Sequence, residues 1–200
     1  LNVLFISYFW LNGMKDVIYV IVYHLNQKKW LIQEKSVLKI NNLKKVKIAL
    51  LYTTKDDFSS KCLDKCRKQN YTNCQTFILD DSQDAEFISI IDDYKRKHPT
   101  ISVIRRKQHT GFKAGNLNQF LNKHNNFDYF VILDSDEIIP KNFVSIALKY
   151  FMYYPNLGIV QSNHIATRNK NKFMRIFHYG VDSHWPTYQK IKEKYGFLSF

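Results

Sequence analysis

The chain has 200 residues and a formal net charge of +13, since 30 Lys and Arg residues outweigh 17 Asp and Glu residues. The length suits one α/β domain with its own core, and a 45% hydrophobic share with 16% aromatic residues excludes general disorder. Three cysteines are too few for a disulfide-framed secreted domain, and the positive charge indicates an anionic partner: nucleic acid, acidic lipid or a phosphorylated small molecule.

Two apolar runs open the chain, residues 1–11 and 17–22, and the polar stretch 12–16 separates them. Neither run alone reaches the roughly 18 to 20 residues that span a bilayer as a helix. A lysine-rich stretch follows, as the positive-inside rule expects of a cytoplasmic flank. We therefore predict that residues 1–45 form a hydrophobic, membrane-proximal segment with a basic flank, at an anionic membrane and with the next domain on the cytoplasmic side. A buried helical hairpin with a charged turn is the alternative.

Short apolar runs alternate with stretches of helical spacing from residue 46 onward. The runs predict buried strands at 46–52, 76–79, 101–104, 129–133 and 158–160. Between them, apolar residues recur every three or four positions within 58–66, 88–94, 114–121 and 143–154. This alternation predicts βαβ units, and hence an α/β fold with a Rossmann-like, mostly parallel sheet and flanking helices over residues 46–200.

Acidic residues follow three of the predicted strands. In a parallel sheet, ligands bind outside the carboxyl ends of the strands, where the strand order switches. Asp56 follows the first predicted strand, and Asp80 and Asp81 follow the second. A carboxylate at the second position can accept a hydrogen bond from a ribose hydroxyl or a base N–H. A helix-capping turn is the alternative for this pair.

Asp134-Ser135-Asp136 ends the most apolar strand of the set. Residues i and i+2 of an extended chain point the same way, and two adjacent carboxylates repel unless a cation lies between them. Oxygen ligands suit Mg²⁺ or Mn²⁺, which take substrate phosphates as further ligands. The motif therefore predicts a metal–diphosphate site with Asp134 and Asp136 as ligands. The alternative is a solvated turn with acidic caps for a helix near Pro140.

The stretch from His109 to Asn118 places Lys113 between Gly111 and Gly115 at a predicted helix start. Glycine allows close backbone approach to a ligand, the helix N-terminus favours anions, and a lysine there supplies a point charge for phosphate. The spacing is not that of a Walker A loop. Because a glycine inside a helix costs about 1 kcal/mol, Gly115 indicates a function. The alternative is an ordinary helix start with Gly115 packed against the sheet.

In this order, the motifs resemble the inverting nucleotide-sugar glycosyltransferases of family 2, especially the membrane-bound, cellulose-synthase-like branch. The matching positions are Asp56, Asp80-Asp81, Lys113-Ala114-Gly115-Asn116, Asp134-Ser135-Asp136 and Gln161. The resemblance implies a GT-A fold, a UDP-sugar donor, a glycan or lipid acceptor, Mg²⁺ or Mn²⁺ as cofactor and a role in polysaccharide biosynthesis. It implies no nucleic-acid partner.

The resemblance also implies roles for individual residues. Gln161 lines the sugar site, Asp134 and Asp136 hold the metal, and the donor nucleotide is bound by Asp56, Asp80, Asp81, Lys113, Gly115, Asn116 and Asp134. The sequence departs from the family at Thr54, where relatives have an aromatic residue, and at Glu137, where relatives often have His.

Two further family motifs are missing after Gln161: the Thr/Ser-Glu-Asp motif with the catalytic base, and Gln-x-x-Arg-Trp. We therefore expect the base beyond Phe200, and we expect a chain that holds the donor half, binding nucleotide with little or no turnover. A nucleotidyltransferase is an alternative, although the stretch after the first strand lacks glycine. A basic module that binds nucleic acid or membrane is another, although three acidic strand ends would repel a phosphodiester backbone.

Overall fold

The computed structural model describes residues 2–165, 171–184 and 188–195. The chain divides into two compact units. One consists of residues 41–155, and the other contains the residues up to Ile40 together with those from Asn156 onward. The domain boundary predicted between residues 45 and 46 stays a prediction.

Residues 41–155 are built around a four-stranded sheet. The strands are β1 (Ile48–Thr54), β2 (Cys74–Asp80), β3 (Ser102–Arg105) and β4 (Tyr129–Leu133). They lie in the order β3-β2-β1-β4, and every pairing is parallel. The predicted α/β fold with a parallel sheet is therefore confirmed. Because the order reverses between β1 and β4, the carboxyl ends of these two strands mark the switch point where such folds bind ligands.

Four helices connect or follow the strands: α2 (Ser60–Cys66), α3 (Ala85–Lys97), α4 (Phe112–Lys123) and α5 (Phe143–Tyr153). Alternate residues of β1 face opposite sides of the sheet. Ile48, Leu50 and Tyr52 pack in one cluster with apolar residues of α2, α3 and α5. Leu51 belongs to the opposite cluster, which includes Phe120 of α4. Helices therefore cover both faces, which explains why β1 is apolar and buried along its length.

The predicted fifth strand, 158–160, is wrong. These residues are irregular chain, and Ile159 is 58% exposed. Among the described residues, β4 has β1 as its sheet neighbour and no strand on its other side. A short apolar run alone does not form a strand when its backbone has no partner to complete the hydrogen bonds.

The N-terminal segment is one helix, α1 (Asn2–Leu38), so the helical-hairpin alternative is wrong. The polar stretch continues the helix, and within it Asn12 Nδ2 donates to the Tyr8 carbonyl oxygen at 2.9 Å. An 18-residue window of α1 has a mean hydropathy of 1.2, and none of it is buried. By length and composition, α1 can cross a membrane. The same unit contains α6 (Lys172–His184) and α7 (Lys190–Tyr195).

Candidate functional site

A crevice of about 610 Å³ opens at the carboxyl ends of β1, β2 and β4, beside the start of α4. Five of the predicted site residues line it: Asp81, Lys113, Asn116, Asp134 and Asp136. Residues for which no ligand contact was predicted complete much of the wall, namely Thr53, Thr54, Asp57, His109, Phe112 and Ser135. The crevice lies wholly within residues 41–155 and includes the switch point of the sheet.

Asp134 is bound from several directions at the switch point. Lys113 Nζ forms an ion pair with Asp134 Oδ1, and Thr53 Oγ1 lies 3.3 Å from the same oxygen. The Asp134 backbone N–H donates to Glu137 Oε2 at 3.1 Å. The helix that follows has Asn142 at its N-cap position, so Asp134 and Asp136 do not cap it. Neither carboxylate therefore serves as a helix cap: Asp134 pairs with Lys113 at the crevice, and Asp136 is exposed there.

Ser135, between the two acids, is held against β1. Its hydroxyl donates to Asp57 Oδ2 at 2.5 Å, and its carbonyl oxygen accepts from the buried Tyr52 hydroxyl at 2.7 Å. Asp57 Oδ1 also accepts from Thr54 Oγ1 at 2.7 Å. Burial alone would raise the pKa of Asp57, but its hydrogen bonds with Ser135 and Thr54 hold that pKa below its usual value. Asp57 is therefore ionised at neutral pH, and it fixes the loop that carries the two acids.

Asp56 and Asp57 have different roles. Asp56 has a φ of 56°, a left-handed conformation that Asp tolerates. Its Oδ1 accepts from the backbone N–H groups of Gln83 and Asp84, at 2.8 and 2.9 Å, just before α3 begins. The predicted carboxylate therefore binds the backbone at the start of α3, while the neighbouring Asp57 lines the crevice. The only sequence signal for Asp57 was its place in the same acidic strand end.

Asp80 is buried, with 1% of its surface exposed. Arg105 Nε donates to one carboxylate oxygen at 2.6 Å, and the Ser82 backbone N–H donates to the other at 2.9 Å. Both oxygens therefore have partners within the protein. The predicted contact of Asp80 with a nucleotide stays a prediction. What the structure displays is an ion pair between the buried Asp80 and Arg105, whose side chain is 36% exposed.

Asp81 forms a second ion pair, with Arg106, and in this pair both side chains are buried. Arg106 Nε and Nη2 donate to the two oxygens of Asp81 at 2.7 and 2.5 Å, and the two side chains are 3% and 10% exposed. The remaining donors of Arg106 hold the loop before α4: Nη1 donates to the Thr110 carbonyl at 2.6 Å, and Nη2 to the Phe112 carbonyl at 3.1 Å. Such two-pronged, charge-assisted bonds are strong and directional. Arg106 therefore joins the end of β2 to the start of α4.

The sequence analysis did not assign a role to Arg106. The order of acidic and basic residues at the two strand ends was a signal for this pair. Asp80 and Arg105 pair in the register of β2 and β3, and Asp81 and Arg106 directly follow them. His109 is close to the pair, with its Nδ1 3.4 Å from Asp81 Oδ1.

Two glycines shape the start of α4. Gly111 is the N-cap residue and has a φ of 71°, where a side chain would be strained. A Cβ on Gly115 would clash with the Thr110 carbonyl oxygen and would lie 3.0 Å from Arg106 Nη1. Close packing against this loop therefore requires glycine at 115. The predicted nucleotide contact of Gly115 stays a prediction.

Phe112 also has a left-handed backbone, with a φ of 49°. For a residue with a bulky side chain this conformation is uncommon and costs about 1–2 kcal/mol. Its ring nevertheless lies at the crevice and is 83% exposed. Burial therefore does not compensate for the strain. Strained residues of this kind cluster at functional sites.

Gln161 lies in the irregular stretch after α5, in the other unit, and is exposed. Its predicted contact with the sugar stays a prediction. Asn116, in contrast, lines the crevice from α4 and is 4% exposed.

A divalent metal can be accommodated at the acidic end of the crevice, but not by protein ligands alone. Among the described residues, no group of three or more His, Cys, Asp or Glu side chains is arranged to hold a metal ion. Asp134 and Asp136 supply carboxylate oxygens at the crevice wall. A Mg²⁺ or Mn²⁺ ion often has few carboxylate ligands and completes its shell with phosphate oxygens and water. The donor set therefore fits a metal that arrives with a diphosphate.

Comparison with known families identifies the chain's relatives. The sequence model of the family described as Glycosyl transferase family 2 matches residues 56–199. The chain belongs to glycosyl transferase family 2. Over 93 residues it is 28% identical to the cellulose synthase catalytic subunit (UDP-forming) of Pseudomonas fluorescens strain SBW25. The aligned region covers 43% of this chain and 12% of that protein. This family 2 chain thus spans about an eighth of that relative.

Two solved structures are similar to the chain, and the likeness to the first shows a shared fold. The mannosyltransferase PcManGT from Pyrobaculum calidifontis, in complex with GDP-Man and Mn²⁺, aligns with a TM-score of 0.51 at 16% identity, covering 83% of this chain and 48% of that one. S. aureus TarS 1-349 in complex with UDP aligns with a TM-score of 0.45 at 19% identity, covering 58% and 39%. The likeness to PcManGT confirms the predicted GT-A type of α/β fold.

Proposed function

We propose that this family 2 chain binds a UDP-sugar in the crevice and that the protein transfers the sugar, with inversion, to a hydroxyl of a glycan or lipid acceptor. One observation carries the proposal: Lys113 and the two acids of the Asp134-Ser135-Asp136 motif meet at the switch point of the sheet. A cation and a pair of carboxylates at that place suit a metal-bound diphosphate. The cellulose synthase relative is named as UDP-forming, which supports uridine as the nucleoside.

The residues of the crevice have complementary tasks in this proposal. Lys113 supplies a positive charge to the diphosphate leaving group, with its backbone position held by the loop that Arg106 binds. Ser135 and Asp57 fix the loop between the two acids. Asp134 and Asp136 hold Mg²⁺ or Mn²⁺, which, when bound, neutralises charge that develops on the departing diphosphate. The inverting step and the acceptor belong to this proposal.

Calorimetric titration of the folded chain with UDP tests the proposal. We expect measurable binding in the presence of Mn²⁺ and much weaker binding when the metal is removed with a chelator, because diphosphate and carboxylates repel without the cation. GDP is the comparator for the base, and an oligouridine RNA is the comparator for a basic nucleic-acid module. If correctly folded protein binds RNA but gives no heat with UDP and Mn²⁺, the proposal is wrong.

We further propose that α1 inserts into an anionic membrane, with residues 41–155 on the cytoplasmic side. The helix has 37 residues, which is about 55 Å at 1.5 Å per residue, longer than the roughly 30 Å hydrocarbon core. Its apolar stretch is exposed in the structure, and Lys28, Lys29 and Lys35 lie in its second half. This distribution suits a span that continues into a basic flank.

Vesicle flotation separates insertion from surface attraction. We expect the chain to stay on vesicles containing anionic lipid in about 1 M salt, where the Debye length shrinks to about 3 Å. A charge in the apolar stretch, Ile18→Lys, should lower the bound fraction, and the exposed Gln27→Lys should leave it unchanged. Full release by salt would show that the lysines alone attract the membrane, and the insertion proposal would then be rejected.

A further inference from the structure

We propose that the exposed ring of Phe112 is the stacking surface for the nucleobase of the bound nucleotide. The inference rests on the proposed function, because it concerns the same crevice. It adds the residue that binds the base, a role for which the sequence analysis named acidic residues only. The observations that carry it are the strained backbone of Phe112, the buried pair that holds that backbone, and the exposure of the ring.

The position of the ring is imposed by its surroundings. Gly111 and Phe112 both have left-handed backbones, with φ of 71° and 49°. Arg106 holds the turn by donating to the Thr110 and Phe112 carbonyls, and Asp81 holds Arg106. An exposed loop with no function would relax to an unstrained conformation, whereas here two buried charges keep it in place. The result is an apolar ring kept at the crevice.

The position of the Phe112 ring favours contact with the base over contact with the diphosphate or the acceptor. Lys113, the next residue, pairs with Asp134 at the switch point between β1 and β4, where the diphosphate is proposed to bind. In a doubly wound sheet, each half binds a mononucleotide over its own strands. Arg106, at the end of β3, donates to the Phe112 carbonyl, and Asp81, at the end of β2, binds Arg106. A nucleoside extending from the switch point over β1, β2 and β3 therefore reaches the ring.

The chemistry of an 83% exposed ring also fits a base. Every nucleobase has a π-face, so an aromatic side chain contributes affinity without selecting the base. Hydrogen-bonding groups on Asp81, Gln83 and His109 line the same crevice. The ring would therefore add affinity for any nucleoside diphosphate, while the polar groups would distinguish one base from another.

Titrations with UDP, GDP and inorganic pyrophosphate, each with Mn²⁺, test the role of the ring. We expect Phe112→Ala to weaken UDP and GDP binding by about 5- to 100-fold, as loss of one base-stacking contact does. Pyrophosphate has no base, so its affinity should change by less than about twofold, the normal scatter of a surface substitution. Phe112→Trp keeps a stacking surface and should retain UDP affinity. Phe173→Ala removes an aromatic side chain that is 71% exposed in the other unit, and it should change none of these affinities.

A second variant separates stacking from a structural effect. Phe112→Gly relieves the positive φ, so thermal stability should rise while UDP affinity falls. Equal losses for UDP and pyrophosphate in Phe112→Ala, or unchanged UDP binding in that variant, would overturn the inference; the latter is also the outcome if the ring contacts the acceptor. Failure of the wild-type chain to bind UDP would instead reject the proposed function, and this inference with it.

Discussion

Replacing Asp136 by Asn is expected to lower Mn²⁺-dependent UDP affinity by at least about 100-fold. Loss of an outer-sphere partner of a metal ligand already costs about 10- to 100-fold in affinity, and Asp136 is proposed to be a ligand itself. Asp134→Asn is expected to have an effect of the same size. The affinities are measured by calorimetric titration of each variant with UDP at saturating Mn²⁺, after its fold has been checked by circular dichroism.

The sign of the effect should reverse when the metal is absent. With no cation, both carboxylates repel the diphosphate, so each Asn variant should bind metal-free UDP at least as well as the wild-type chain does. Asp134→Asn also releases Lys113 from its ion pair, which leaves that ammonium free for phosphate. A variant that was merely misfolded would lose both kinds of binding, so the opposite signs distinguish a metal bridge from structural damage.

Asp93→Asn is the matched control for this experiment. The side chain of Asp93 is 50% exposed, close to the 49% of Asp134, and it also pairs with a basic side chain, that of Arg96. It lies in α3 and does not line the crevice. Its replacement should therefore leave both titrations unchanged. If Asp136→Asn behaves like Asp93→Asn, the assignment of Asp134 and Asp136 as metal ligands is wrong.

Much of the fold was predictable because burial on both faces of a sheet leaves apolar runs in the sequence. The start of β1 shows that an apolar run does not specify the exact boundary of a strand. The apolar run begins at Val46, but the strand begins at Ile48. The Val46 backbone N–H donates to the Tyr71 hydroxyl, and the Lys47 N–H donates to the Asp128 carboxylate, both at 2.7 Å. Partners 25 and 81 residues away therefore decide the strand boundary, and no local pattern reveals them.

The site was predictable at the level of strand ends and less so at the level of single side chains. The left-handed turn at Asp56 directs that carboxylate to the start of α3, while Asp57 lines the crevice. A backbone dihedral, which residue types do not specify here, therefore decides which acid lines the crevice, and the nucleotide contact of Asp56 stays a prediction. Asp80 and Asp81 each bind an arginine at the ends of β2 and β3, which residue types alone did not reveal, and their contacts with a nucleotide stay predictions.

Removal of the Arg106 side chain, by Arg106→Ala, is expected to destabilise the chain by about 3–5 kcal/mol, as breaking a buried ion pair does when one charge is left without its partner. For a chain of this size that corresponds to a Tm lower by roughly 6–20 °C. The reason is local: the Asp81 side chain is 10% exposed and would lose the arginine that binds both of its oxygens. The Thr110 and Phe112 carbonyls would lose their donors as well. Thermal unfolding followed by circular dichroism measures the change.

Arg96→Ala is the control, because Arg96 is the same residue type in an ion pair that is 77% and 50% exposed. Exposed pairs contribute about 0–1 kcal/mol, so this variant should unfold close to the wild-type temperature. If Arg106→Ala does not fold, Arg106→Lys keeps the charge and loses the two-pronged bond, and should show an intermediate loss of stability. A further variant, Asp81→Leu with Arg106→Met, removes both buried charges and should recover most of the stability lost by Arg106→Ala. Equal unfolding temperatures for Arg106→Ala and Arg96→Ala would show that the pair does not hold the loop before α4, and the position of Lys113 would then need another explanation.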